Sequence, residues 1–180
     1  MSRRQQKLRL YKLALARSDF AVCRKACGVL LEKVQGFDHP LYFHLYSSAV
    51  IAYAKPFVQS KSGPLPSQWK KFEHSWMLGI HDDAIRARHE IIAHNDDQVR
   101  KIWIVPPGAA TPGIIEGPIS GLSFKIETYY VPGGFFSALF EVCDYQIYRL
   151  NSAIDEDLEA LYGGRDMPAE EFLLTIDDEL

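Results

Sequence analysis

Residues 68–94 read QWKKFEHSWMLGIHDDAIRARHEIIAH, and the periodicity of this stretch decides for a helical chain. Met77, Ile80, Ala84, Ala87 and Ile91 recur at intervals of three and four, which places them on one face of an α-helix. Ser67 stands where an N-cap is needed and Asn95 where a left-handed C-terminal cap fits, so the spacing predicts a helix from about Gln68 to His94, with Gly79 as a possible break.

Upstream, the same periodicity continues. Arg3 to Ala16 reads as a first helix with Leu8, Leu10, Leu13 and Leu15 on an apolar face. Ser18 or Asp19 then caps a second, whose apolar positions Phe20, Val22, Cys23, Ala26, Val29, Leu30 and Val34 keep helical spacing. Gly36 and Pro40 interrupt, and Leu41 to Phe57 reads as a third, strongly apolar helix that Pro56 ends or kinks. Residues 59–67, QSKSGPLPS, form a loop.

Downstream, the texture changes. Lys101 to Val105 and Ser123 to Val131 are rich in β-branched and aromatic residues, and a Pro/Gly-rich segment separates them, as in an irregular hairpin with a long arm. Gly133 and Gly134 lead into a last helix, about Phe135 to Tyr162, stopped by Gly163 and Gly164. The expected organisation is one domain over residues 1–164 and an acidic tail over 165–180. The expected class is mainly α, with a β-hairpin inserted near residues 100–131.

The 180 residues suffice for one sizeable core, and 47% hydrophobic content argues against disorder. A net charge of −3 gives no general attraction for nucleic acid, so any such binding must be local. The charge is unevenly spread: Arg3, Arg4, Lys7 and Arg9 crowd one end, and a run of Asp and Glu crowds the other. No run approaches the roughly 20 apolar residues that span a bilayer, and no apolar core follows the basic MSRRQQ, so the expected location is the cytoplasm, away from membranes. Cys23, Cys27 and Cys143 read as reduced, mostly buried thiols, and His39, His44 and His74 as core-edge or surface residues.

The chemistry sits in Arg88, His89 and His94. Arginine presents a planar, permanently charged fork to phosphate oxygens, and histidine can exchange a proton near neutrality. On a regular helix, positions six apart differ by about 120° and about 9 Å, so Arg88 and His94 of one chain do not face one phosphate unless the helix ends or kinks between them. A two-fold dimer that packs two copies of the segment would bring both residue types into one cleft. The competing reading is a solvent-facing helix laced by ion pairs, because Asp82, Arg86 and Glu90 lie four apart, as do Glu90 and His94. HEIIAH fails the zincin spacing, and no metal or other cofactor is expected.

Arg88, a polar His89 and His94 together resemble the R-x4-6-H motif of HEPN-domain proteins. Ala52-Tyr53-Ala54-Lys55-Pro56-Phe57 resembles a Y-A-[RK]-P-F element of an uncharacterised bacterial HEPN-like group, and His81-Asp82-Asp83 with Ala93-His94-Asn95-Asp96 resembles its H-[DE] and A-H-S-D elements. The likeness spans about residues 10–97. Two positions depart from it, His89 where asparagine is commonest and Asn95 in place of serine. The resemblance implies a dimeric up-and-down helical bundle and a metal-independent endoribonuclease that leaves a 2′,3′-cyclic phosphate. Arg88 would hold the phosphate, His94 would transfer the proton, His89 would assist, and His81 and Asn95 would join Arg88 in binding substrate. It also implies a stress-response, toxin–antitoxin or antiphage setting with RNA as substrate and an antitoxin or other protein as partner. Many members are inactive, so the alternative is a non-catalytic helical dimer that serves as a nucleotide- or protein-binding scaffold.

Overall fold

The computed structural model describes residues 1–59, 63–89, 101–108, 123–127, 133–165 and 169–176. Among them run four α-helices, α1 (Arg3–Lys33), α2 (Tyr42–Ala54), α3 (Ser75–Ala87) and α4 (Phe135–Tyr162), and two strands, β1 (Lys101–Val105) and β2 (Ser123–Glu127). The chain is mainly helical.

α1 is one helix where the sequence suggested two. Ser2 opens it with a reciprocal cap, its hydroxyl accepting from the Gln5 amide at 3.3 Å while the Gln5 side chain accepts from the Ser2 amide at 2.9 Å. Ser18 and Asp19 fall in its interior and do not cap a break. Leu13, Ala16, Phe20, Cys23 and Cys27 carry one buried stripe straight through them, and the Asp19 carboxylate accepts from Lys55 at 3.3 Å. Leu15 and Val22, expected in the core, lie off that stripe and are exposed.

α1 and α4 lie antiparallel, and three side-chain links record the register. Arg9 meets Asp157 at 2.8 Å, Arg17 donates to Asn151 at 2.7 Å, and Arg24 pairs with Asp144 while stacking on Phe140. Between them Phe20, Cys23, Leu139, Val142, Cys143 and Leu150 are fully buried, with Tyr46, Val50 and Tyr53 of α2 closing the core from the side. The Cys23 thiol is hydrogen-bonded to Cys143 and Cys27; the bond with Cys143, aided by burial, pushes its pKa up. All three cysteines are free thiols. Gly134, at φ +84°, makes the left-handed step into α4 that a side chain would strain.

The helix predicted from Gln68 begins only at Ser75. Ser67–Lys70 is a short 3-10 turn, and Lys71 and His74 are extended. The carbonyls that a continuous helix would need are bonded elsewhere: Arg149 of α4 donates to Gln68 at 3.0 Å and Lys71 at 3.1 Å, and Gln146 donates to Trp69 at 2.8 Å. Trp69 is buried beneath the Arg149 guanidinium, which lies 4.9 Å from its ring centroid. Gly79 does not break α3, whose Met77, His81, Ala84 and Ala87 are buried.

α2 ends at Ala54 and passes into a 3-10 turn at Lys55–Phe57 that accommodates Pro56. β1 pairs antiparallel with β2, Ile102 opposite Ile126 and Val105 opposite Ser123. α4 ends at Tyr162, with Gly163 as its C-cap. Beyond it, Phe172 packs edge-on against Tyr162, with ring centroids 5.7 Å apart. No helix of the described residues is long and apolar enough to cross a membrane.

Candidate functional site

The end of α3, the Lys55–Phe57 turn and the Ser67–Lys70 turn enclose an open cleft of about 590 Å³. Polar side chains reach it from two directions. Lys70 comes from the turn, and His81, Asp82, Arg86 and His89 come from successive turns of the α3 helix and its extension, with Phe57, Leu78 and Ile85 supplying apolar wall.

His81 anchors the floor. It is 4% exposed, its Nδ1 shares a hydrogen bond with the Tyr53 hydroxyl at 3.0 Å, and its ring packs edge-on to Phe57 at 4.6 Å and tilted against Phe72 at 5.4 Å. Burial is the main cause that pulls its pKa below 6.5, opposed by Asp82 and reinforced by Lys70, so the ring is neutral at neutral pH. Burial likewise pushes the Tyr53 phenol up. Tyr53 and Phe57 belong to the Y-A-K-P-F stretch, whose local job is therefore to hold His81. Lys55, between them, points outward to Asp19.

Lys70 owes its place to α4, because the carbonyls on both sides of it, those of Trp69 and Lys71, are bonded by Gln146 and Arg149. Arg86 pairs with Asp83 on its own helix. Arg88 retains helical backbone angles just past Ala87, and its guanidinium donates to His89 Nδ1 at 3.2 Å. A guanidinium can only donate, so Nδ1 is the acceptor of this bond.

Of the residues singled out from sequence, His81 and His89 line this cleft, while Arg88 lies behind His89 and contacts it. His94 and Asn95 lie outside the described residues. His81 is largely enclosed by aromatic rings rather than displayed, because its helical position falls on the buried face with Met77 and Ala84. Lys70 and Arg86 went unrecognised. Arg86 carried a signal, since it is one helical turn from both Asp82 and His89, whereas nothing in the local sequence marks Lys70. Among the described residues no three His, Cys, Asp or Glu side chains are grouped to hold a metal ion.

Fold and site together define a mainly helical protein with a cation-rimmed cleft at the end of α3. No protein-family model, curated protein or solved structure matches the chain.

Proposed function

We propose that this is a HEPN-like RNA-directed protein whose α3 cleft takes a phosphodiester, and that it acts as a metal-independent endoribonuclease. The observation that carries the reading is the hydrogen bond from Arg88 to His89 at the edge of a cleft that Lys70 and Arg86 also line. With Nδ1 engaged by Arg88, the Nε2 edge of His89 is left to donate to a phosphoryl oxygen, and cations beside it offset the charge that builds there in the transition state. In this scheme His94 removes the ribose 2′-OH proton, O2′ attacks phosphorus, and the P–O5′ bond breaks as the protonated His94 gives that proton to O5′. Arg88 holds His89 and the scissile phosphate, and His81 and Asn95 contact the substrate. The working unit would be a cytoplasmic homodimer, in a stress-response, toxin–antitoxin or antiphage setting with a protein antitoxin as partner.

The test is cleavage of single-stranded RNA in excess chelator, with the product ends analysed for 2′,3′-cyclic phosphate. His94→Ala should lower the rate by about 10²–10⁴ and Arg88→Ala by about 10²–10³. A pure, folded protein that leaves all RNA intact refutes the catalytic reading. The second reading, a non-catalytic nucleotide- or protein-binding scaffold, draws support from Asp82, a carboxylate in the same cleft that opposes a bound phosphate.

A further inference from the structure

The α3 cleft does not end at its own walls. Val58 also lines a second cleft of about 310 Å³ along α1, where Lys12 and Lys55 face Asp19. Lys12 and Leu65 in turn line a third, of about 220 Å³, which reaches Gln5 and Arg9 near the start of α1. The residues shared at both junctions set the three clefts side by side, as a segmented groove.

Its charge runs against that of the whole molecule. The chain carries −3, yet among the described residues the groove is lined by Arg9, Lys12, Lys55, Lys70 and Arg86 against Asp19 and Asp82. Three of these cations are committed to carboxylates, Arg9 to Asp157, Lys55 to Asp19 and Arg86 to Asp83. Lys12, at the junction of the second and third clefts, forms no ion pair among the described residues. From Lys12 to Gln5 the α1 edge of the groove covers about 10 Å along the helix axis, more than one extended nucleotide.

We propose that this groove binds the sugar-phosphate backbone of single-stranded nucleic acid, with the strand running from the α3 cleft over Lys12 toward the start of α1. The inference rests on the RNA-directed reading of the α3 cleft and adds a binding track that begins outside it. A row of cations spaced along an open groove suits a linear polyanion, because each phosphate neutralised releases condensed counterions; a compact ligand would engage only one of the three stretches.

The experiment measures binding of fluorescein-labelled oligouridylates with 2′-O-methyl riboses, which cannot be cleaved, to the full chain by anisotropy. Oligomers of about 10 nucleotides should bind at least about tenfold tighter than dinucleotides. Lys12→Glu should erase that advantage and Lys12→Gln reduce it, each lowering the slope of log K against log salt by about 0.7 for the lost phosphate contact. Lys33→Glu, at the far end of α1, makes the same charge change and should leave binding within about twofold. The groove is refuted if length confers no advantage, if Lys12→Glu acts no more strongly than Lys33→Glu, or if polyglutamate competes as well as the oligonucleotide. Length-dependent binding without RNA cleavage removes only the catalytic reading; cleavage and binding indifferent to Lys12 remove only the groove.

Discussion

Replacing Tyr53 by Phe deletes a single oxygen and should cost far more than its size suggests. Tyr53 is fully buried and its hydroxyl is 3.0 Å from His81 Nδ1, in a wall of Phe57 and Phe72 rings. Losing that partner leaves the buried imidazole nitrogen unsatisfied, at about 1–3 kcal/mol. For a chain of this length that lowers Tm by roughly 2–10 °C. His81→Phe in the Tyr53→Phe background removes the orphaned nitrogen and should recover most of the loss. The pH dependence supplies a second readout. His81 has its folded pKa below the unfolded value of about 6.5, so the unfolded chain binds more protons between the two; its contribution is complete above about 6.5 and is lost as pH falls toward the folded pKa. Urea unfolding followed by circular dichroism from pH 8 to pH 5, in wild type, both single variants and the double, forms the cycle. A Tyr53→Phe penalty below about 0.5 kcal/mol, or a His81→Phe variant with undiminished acid sensitivity in that window, would refute the account of the pair.

The other links can be probed in the same assay. Arg9→Ala strands the buried Asp157 carboxylate, and because the arginine side chain is 37% exposed the cost is discounted to about 1–2 kcal/mol; adding Asp157→Asn should restore part of it. Arg149→Lys keeps the charge but loses the planar fork that reaches two carbonyls, so it should cost about 1–2 kcal/mol and weaken anion binding at Lys70, read by phosphate titration. Phe20→Ala, at a fully buried site between α1 and α2, should cost about 3–5 kcal/mol in urea. Cys23, Cys27 and Cys143 should ignore a thiol reagent in native buffer and react together on unfolding, since burial and mutual hydrogen bonding hold Cys23 and Cys27 protonated; fast labelling of the native chain would contradict that packing.

Much of the helical architecture could be read from local pattern, and the errors have a common cause. The stripe through Leu13, Phe20 and Cys23 has the spacing of one helix, but Ser18 and Asp19 look like a cap when judged locally. Only contact with Lys55, remote in sequence, shows Asp19 to be an interior residue serving a tertiary bond. The Gln68 start failed similarly, because its helix-forming residues are overruled by an arginine about eighty positions away that takes their carbonyls. His81 and His89, singled out by residue type, line the cleft, while Lys70 came into view only when the turn was folded beside α3. Local chemistry can be read from sequence, whereas its neighbours are set by α4.

That dependence on α4 separates the residues that hold the cleft in place from those that line it. Gln146 and Arg149 fix the turn bearing Lys70, and Tyr53 fixes His81, yet none of these three lines the cleft. The groups with exposed polar ends, Lys70, Arg86 and His89, contribute little to the core, so substituting them should leave Tm nearly unchanged while altering anion binding. The supporting residues should do the reverse at first order, lowering Tm and disturbing binding only through the placement of Lys70 and His81. A folded bundle can therefore keep its helices while the cleft chemistry is lost, and the Arg88–His89 hydrogen bond, on the exposed side of this division, is the first contact whose loss would mark such a change.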